Sequence, residues 1–238
     1  ACFRAAIARA PLLADAHEWL GRMLLEAGYL VDARARLDDA IAMSPYVAPV
    51  NAELSLGYAL QGDWEEADRV AAGLGDAEPA GGIGYRLRFA VWRGDHVAEA
   101  RWLDELRHRG PTRENAIAAP VYDREVPWSE RAAVLQAWID GADLSARRRS
   151  FLCQLAIEAA MREGDVPRSV ALLAVANEGG LFDLAWLERC PLLGALRGSP
   201  IYDTVRASVA ERAEAIHDAL YGDHGALATA PTTMNARP

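Results

Sequence analysis

Lysine is absent: all 25 basic side chains of the 238-residue chain are arginine. That excludes a Schiff-base lysine, a P-loop lysine and the phosphate-binding lysine of a kinase within this chain. Cysteine is scarce. Cys2, Cys153 and Cys190 are odd in number, far apart and without C-x-x-C spacing, which points to neither a disulfide framework nor a zinc site and fits a reducing cytoplasm. No stretch approaches 18 uninterrupted apolar residues, and no basic-then-apolar leader opens the sequence. Net positive charge is missing too: the formal charge of −9 lacks the basic footprint that nucleic acid or an anionic membrane requires of a main partner. The run Arg147, Arg148, Arg149 is the one tight basic cluster, read as a solvated face at a helix start. Also absent are a Walker-type glycine loop, H-E-x-x-H, an EF-hand loop, S-x-x-K and G-x-S-x-G. With these go most reasons to expect a catalytic site or a cofactor, and neither is expected.

What is present favours helices. Hydrophobic residues make up 52% and charged residues 25%, and Ala, Leu, Arg and Glu fill the windows between Gly and Pro. Shifted by 34 positions, the sequence matches itself. Leu20, Gly21, Leu24, Gly28, Ala33, Leu37, Ala40 and Pro45 fall on Leu54, Ser55, Tyr58, Gly62, Ala67, Ala71, Leu74 and Pro79. One period upstream lie Phe3, Ala6 and Pro11, so the series begins in mid-repeat. Small residues at Gly21, Ala33 and Ala40 would let two helices approach closely while Leu20, Leu24 and Leu37 fill the space between them. Gly28 suits a left-handed helix end, and Pro45 and Pro79 stop the second helix of each pair.

This pattern resembles the tetratricopeptide repeat: a large residue (His17, Asn51), then Leu20-Gly21, Leu24, Gly28, Ala33, Leu37, Ala40 and Pro45. The resemblance implies an all-α, right-handed superhelix of stacked helix pairs with a closing C-terminal helix. The array is expected over 1–109, with a third pair built from Gly84–Arg93 and Val97–Leu106 around Gly94-Asp95. Residues 110–147 are expected to hold an irregular connection, marked by Pro111, Pro120 and Pro127, and one helix from Glu130 to Ile139 capped by Ser129. A degenerate pair, Ser150–Arg162 and Pro167–Ala176, and a capping helix occupy 148–221, and 222–238 reads as a disordered tail. The segment from Gly180 to Pro200, with Phe182, Trp186, Cys190 and Pro191, resembles the end of repeat arrays in bacterial multidomain signalling proteins, which commonly carry a Ser/Thr kinase, a nucleotide cyclase or a DNA-binding domain upstream.

In such an array the first helix of each pair lines a concave groove. The resemblance therefore places Asp15, Glu18, Arg22, Leu25, Glu26 and Leu56 as partner-binding positions, with Trp19, Ala52, Ala59 and Leu60 beside them. A mixed acidic and apolar groove suits a basic or amphipathic segment. The expected function is protein or peptide binding as a cytoplasmic interaction or scaffolding module, with regulation of an upstream kinase or cyclase in the same polypeptide as the alternative, and an enzyme with an unrecognised site as the third. Gly81, Gly82 and Gly84 read as an inter-repeat loop, His17 as a packing residue, Cys190 as an inert thiol, and Phe182 with Trp186 as buried under the last helix rather than as a ligand cage.

Overall fold

One turn recurs along the chain and organises the fold. At Gly28, Gly62, Gly94 and Gly164 the backbone takes φ of +89°, +80°, +68° and +74°, a region that penalises any residue with a Cβ. In each case the next residue returns its N–H to the carbonyl five positions back, from Tyr29 to Leu24, Asp63 to Tyr58, Asp95 to Ala90 and Asp165 to Ala160, at 2.8–3.0 Å. The helix is thereby closed and its last carbonyls are satisfied. Asp95 and Asp165 then cap the following helix by accepting from the N–H groups of Ala98 and Arg168.

The computed structural model describes residues 2–44, 48–73, 81–109, 113–141 and 144–221, which are all-helical with no strand among them. In order they are α1 (Cys2–Arg9), α2 (Ala14–Glu26), α3 (Leu30–Met43), α4 (Ala48–Gln61), α5 (Trp64–Gly73), α6 (Gly81–Arg93), α7 (His96–His108), α8 (Arg113–Tyr122), α9 (Trp128–Ile139), α10 (Ala146–Arg162), α11 (Val166–Glu178), α12 (Leu184–Arg189), a 3₁₀ turn (Pro191–Leu196) and α13 (Pro200–Tyr221). The four glycine turns join α2 to α3, α4 to α5, α6 to α7 and α10 to α11, and these pairs form the densest packing in the molecule.

The repeat positions carry that packing. Leu20, Leu24, Ala33, Leu37 and Ala40 are buried, and a Cβ added at Gly21 would lie 2.7 Å from Leu37 Cγ, so only glycine permits this approach of α2 to α3. One period on, Ser55 is fully buried and donates its hydroxyl to the Ala67 carbonyl at 2.7 Å, tying α4 to α5 where Gly21 had only contact. Ala67 and Ala71 close that pair. A larger core, with Phe89, Leu135, Ile157, Leu173, Trp186 and Leu193, continues from α4 to α13. Each such side chain contributes about 1.5–3 kcal/mol by leaving water.

Several expectations need correction. Residues 110–127 are not an irregular connection throughout, because α8 occupies Arg113–Tyr122 with Pro120 inside its last turn. A proline there removes one ladder bond, but the helix end is held by burial of Ala118, Val121 and Tyr122 against α9 and α10. Ser129 is not a cap: α9 starts at Trp128 behind Pro127, whose extended backbone needs no side-chain cap. α10 begins four residues earlier than Ser150, because Ser145 caps it by accepting from the Arg148 N–H. Gly81, Gly82 and Gly84 form the first turn of α6 rather than a loop. Pro45, Leu74, Pro79 and the segment 222–238 lie outside the described residues, as does the side chain of Phe3.

Candidate functional site

Side chains at helical spacing from successive helices converge on a cavity of about 840 Å³. From α2 come Trp19, Arg22 and Glu26, which share a face because they are three and four residues apart. From α4 come Glu53 and Leu56, one 34-residue period after Trp19 and Arg22, and from α6 come Tyr85 and Arg88. The opposite wall is the first half of α10, with Arg147 and Gln154, and the loop that follows Gly180, with Phe182 and Asp183. Gly180 itself repeats the turn seen at the pair junctions, at φ +84°, and so throws the loop back over the groove.

The polar groups pair across the cavity. Arg22 Nε lies 3.1 Å from Glu53 Oε1 and 3.4 Å from Glu26 Oε1, and Arg147 reaches from α10 to the same Glu26 oxygen. Asp183 accepts from the Trp186 N–H at 2.9 Å, as the cap of α12, and from the Gln154 amide at 3.0 Å. Arg148, also on the lining, is exposed to solvent. Three carboxyls, Glu26, Glu53 and Asp183, therefore share the lining with four guanidiniums, of which Arg22 and Arg147 pair within it while Arg88 pairs with Glu158 below and Arg148 faces solvent. Burial pushes Glu26 up to about 6 and Asp183 up to about 7: Arg147 and Arg22 oppose the rise at Glu26 while Glu53 adds to it, and the Glu26 charge adds to the rise at Asp183. Glu53, which is 4% exposed, is raised by burial against the pull of Arg22 and Arg147. Tyr85 is raised by the same burial and by Glu53, so its phenol stays protonated.

A carboxyl whose native value is raised gives up stability as pH rises. Both Glu26 and Asp183 start from ordinary values, 4.5 and 3.8, and below these the contribution is fully present because native and unfolded chains are equally protonated. From 4.5 to about 6 for Glu26, and from 3.8 to about 7 for Asp183, the unfolded chain has released a proton that the folded one retains, so stability falls across each window and levels off once the pH passes its upper end. The melting temperature is expected to be lower at pH 8 than at pH 5, and Glu26→Gln is expected to flatten the part of that decline that lies below about 6. An unchanged decline in the variant would show that Glu26 does not hold the proton.

Beneath the cavity lies a second polar cluster. Glu158, 1% exposed on α10, accepts from Arg88 Nε at 3.1 Å, Arg88 Nη2 at 2.5 Å, Trp92 Nε1 at 3.0 Å and Trp186 Nε1 at 2.7 Å. One carboxylate thus locks α6, α10 and α12 together and fixes Arg88 and Trp186, which both border the cavity. Burial on its own would lower Arg88, but the Glu158 charge and hydrogen bonds overcome this and raise it.

Of the positions that the sequence places in the groove, Arg22, Glu26 and Leu56 line the cavity together. Asp15 is exposed at the start of α2, and Glu18 is 9% exposed with its carboxyl raised by burial and by Asp15, but neither borders the cavity. Leu25 does not face the groove: at 2% exposure it packs with Leu20, Leu24 and Ala33, and its Cδ1 lies 3.3 Å from where a Cβ on Gly57 would be. Ala52, Ala59 and Leu60 are buried as well. Arg147 is not a solvated face residue, because it turns inward to Glu26. Phe182 and Trp186 both border the cavity, Phe182 half-buried and Trp186 1% exposed, so only the second follows the expectation of burial. Cys190 is fully buried with its thiol pushed well up, and burial pushes Cys153 up to about 11, which makes both poor nucleophiles. His17 is packed, 4% exposed, with Nε2 3.1 Å from the Pro11 carbonyl.

Among the described residues no group of His, Cys, Asp and Glu is placed to hold a metal ion, and no helix is long and apolar enough to cross a membrane. Comparison with protein-family models, with curated proteins and with solved structures finds no match to this chain.

Proposed function

We propose that the chain is a tetratricopeptide-type solenoid that binds a segment of another protein in the groove between α2, α4, α6 and α10, as the interaction or scaffolding part of a larger bacterial signalling or regulatory protein. The observation that carries this is the cavity of about 840 Å³, built from equivalent positions of successive helices and lined by both aromatic and charged side chains. Such a lining gives a bound segment apolar area for Leu56, Tyr85 and Phe182 and partners for its polar groups, the mixture from which peptide grooves draw affinity and orientation.

A second reading draws on the carboxyls of raised pKa, which are the mark of acid–base catalysts as well as of ion-pair networks. Each is already committed: Glu26 to Arg22 and Arg147, Glu53 to Arg22, and Asp183 to Trp186 and Gln154. Carboxyls held by partners within the protein are the pattern of an ion-pair network, so binding is the better account. The test is selection of peptides on the full chain from a random displayed library. Peptides are expected to bind saturably, and Leu56→Arg or Tyr85→Ala is expected to weaken them at least tenfold with the circular dichroism spectrum unchanged. Failure to select any peptide, or affinity indifferent to both substitutions, would overturn the reading.

A further inference from the structure

The Arg147 guanidinium crosses from α10 and lies between two aromatic rings, 5.8 Å from the centroid of Trp19 and 5.6 Å from that of Phe182, while its end pairs with Glu26. Both distances fall within the reach of a cation–π contact, about 6 Å. A planar cation held between two rings with a carboxylate at its end is the way an arginine is recognised, and a lysine ammonium would use the rings less well. The contact is unlike a core strut: Trp19 is 42% exposed, the Arg147 side chain is 35% exposed, and both stand on the lining of the large cavity. The same Trp19 ring also has Arg22 5.7 Å from its centroid, so the slot already carries two cations side by side. Because the slot is already filled by a cation of the chain's own, an incoming guanidinium replaces Arg147 without changing the charge of the lining.

We propose that the Trp19–Phe182–Glu26 slot is a receptor for an arginine side chain, that the chain's own Arg147 occupies it in the unbound state, and that an arginine of the partner segment enters by displacing Arg147. This rests on the reading of the cavity as a peptide groove and specifies what the groove selects. Displacement costs little in contacts, because the incoming guanidinium remakes the same ring and carboxylate interactions, and Arg147 swings from the first turn of α10 into water, where Arg148 already stands. The resident arginine therefore acts as a competitor that sets a threshold: only a segment with additional contacts along Leu56 and Tyr85 outcompetes it. Single arginines on unrelated surfaces do not.

The emptied slot provides the test. In the full chain with Arg147→Ala, N-acetyl-argininamide is expected to bind saturably by isothermal titration, at least tenfold more tightly than to the unsubstituted chain and more tightly than N-acetyl-lysinamide. Adding Glu26→Gln or Phe182→Ala is expected to abolish the gain. Arg147→Gln, which keeps a polar side chain of shorter reach, gives the same comparison should the alanine variant be poorly folded. Equal, weak binding of argininamide to the substituted and unsubstituted chains would overturn the proposal and leave Arg147 as a structural tie. The groove reading is judged separately: library peptides that lose affinity with Leu56→Arg, yet contain no required arginine and ignore Arg147→Ala, would sink the arginine slot while sparing the groove.

Discussion

Replacing Glu158 by alanine is expected to cost about 3–5 kcal/mol of folding stability, the range found when one partner of a buried ion pair is removed. The carboxylate is 1% exposed and Arg88 6%, so water cannot replace what is lost. Three side chains would be stranded: the Arg88 guanidinium, which has no other acceptor among the described residues, and the indole N–H groups of Trp92 and Trp186. A domain of this size has about 5–15 kcal/mol in total, so a single substitution would remove a large share of it. Glu158→Gln is expected to lose less but remain destabilised, because one end of its amide presents hydrogens to groups that are already donors. Trp186→Phe, which removes one N–H and little volume, is expected to cost about 1 kcal/mol, since its partner keeps three other donors. Urea unfolding gives the order directly: a midpoint for Glu158→Ala close to that of the unsubstituted chain would show that the cluster is not the tie between α6, α10 and α12.

The helix pairs were legible in the sequence because each depends on local chemistry. A glycine at a helix end and small residues at close approaches are statements about neighbours in sequence, and the structure uses the glycine at Gly28, Gly62, Gly94 and Gly164, with an aspartate cap directly after the last three. The groove was legible only in part. Arg22, Leu56, Arg88 and Glu158 each stand six residues before a turn glycine, as do Trp19, Glu53 and Tyr85 at nine, so the register already pointed to Tyr85 and Arg88 once the interval from Gly62 to Gly94 was taken as 32 rather than 34. A rigid 34-residue offset hides that signal. Arg147 carried no such signal. Its partner is 121 residues away, and only the tertiary fold decides which arginine of the run Arg147, Arg148, Arg149 turns inward. Leu25 was misplaced for a related reason: helical spacing puts it beside Glu26, but α4 passes close enough, at Gly57, to cover it.

α8 was missed because proline is read as a breaker, and besides the burial of Ala118, Val121 and Tyr122 two arginines, one on α9 and one on α10, hold the helix end. Arg131, 2% exposed on α9, donates Nη1 to the Val121 carbonyl at 3.4 Å, Nε to the Val126 carbonyl at 3.0 Å and Nη2 to Glu163 at 2.6 Å. Arg162 donates to the Tyr122 carbonyl at 3.2 Å and pairs with Glu99. Carbonyls at a helix C-terminus have no partner within the helix, and here guanidiniums supply what the next turn would have supplied. Arg131→Met keeps much of the stem's volume and deletes all three bonds, leaving Glu163 with Arg124, at 3.1 Å, as its remaining cation. The expected loss is about 3 kcal/mol, about 1 kcal/mol for each of the three hydrogen bonds, because Glu163 keeps a cation while the two carbonyls lose their donor. Its location should differ from that of the Glu158 effect. At about 1.4 kcal/mol for each tenfold, amides at residues 117–123 should exchange with solvent roughly a hundredfold faster, while those of α2 to α5, to which none of the three Arg131 hydrogen bonds runs, keep their protection. Acceleration spread evenly over all helices would instead mean that α8 docks as part of one global unit. Unchanged exchange at 117–123 would show that burial of Val121 and Tyr122 alone holds the helix against its proline.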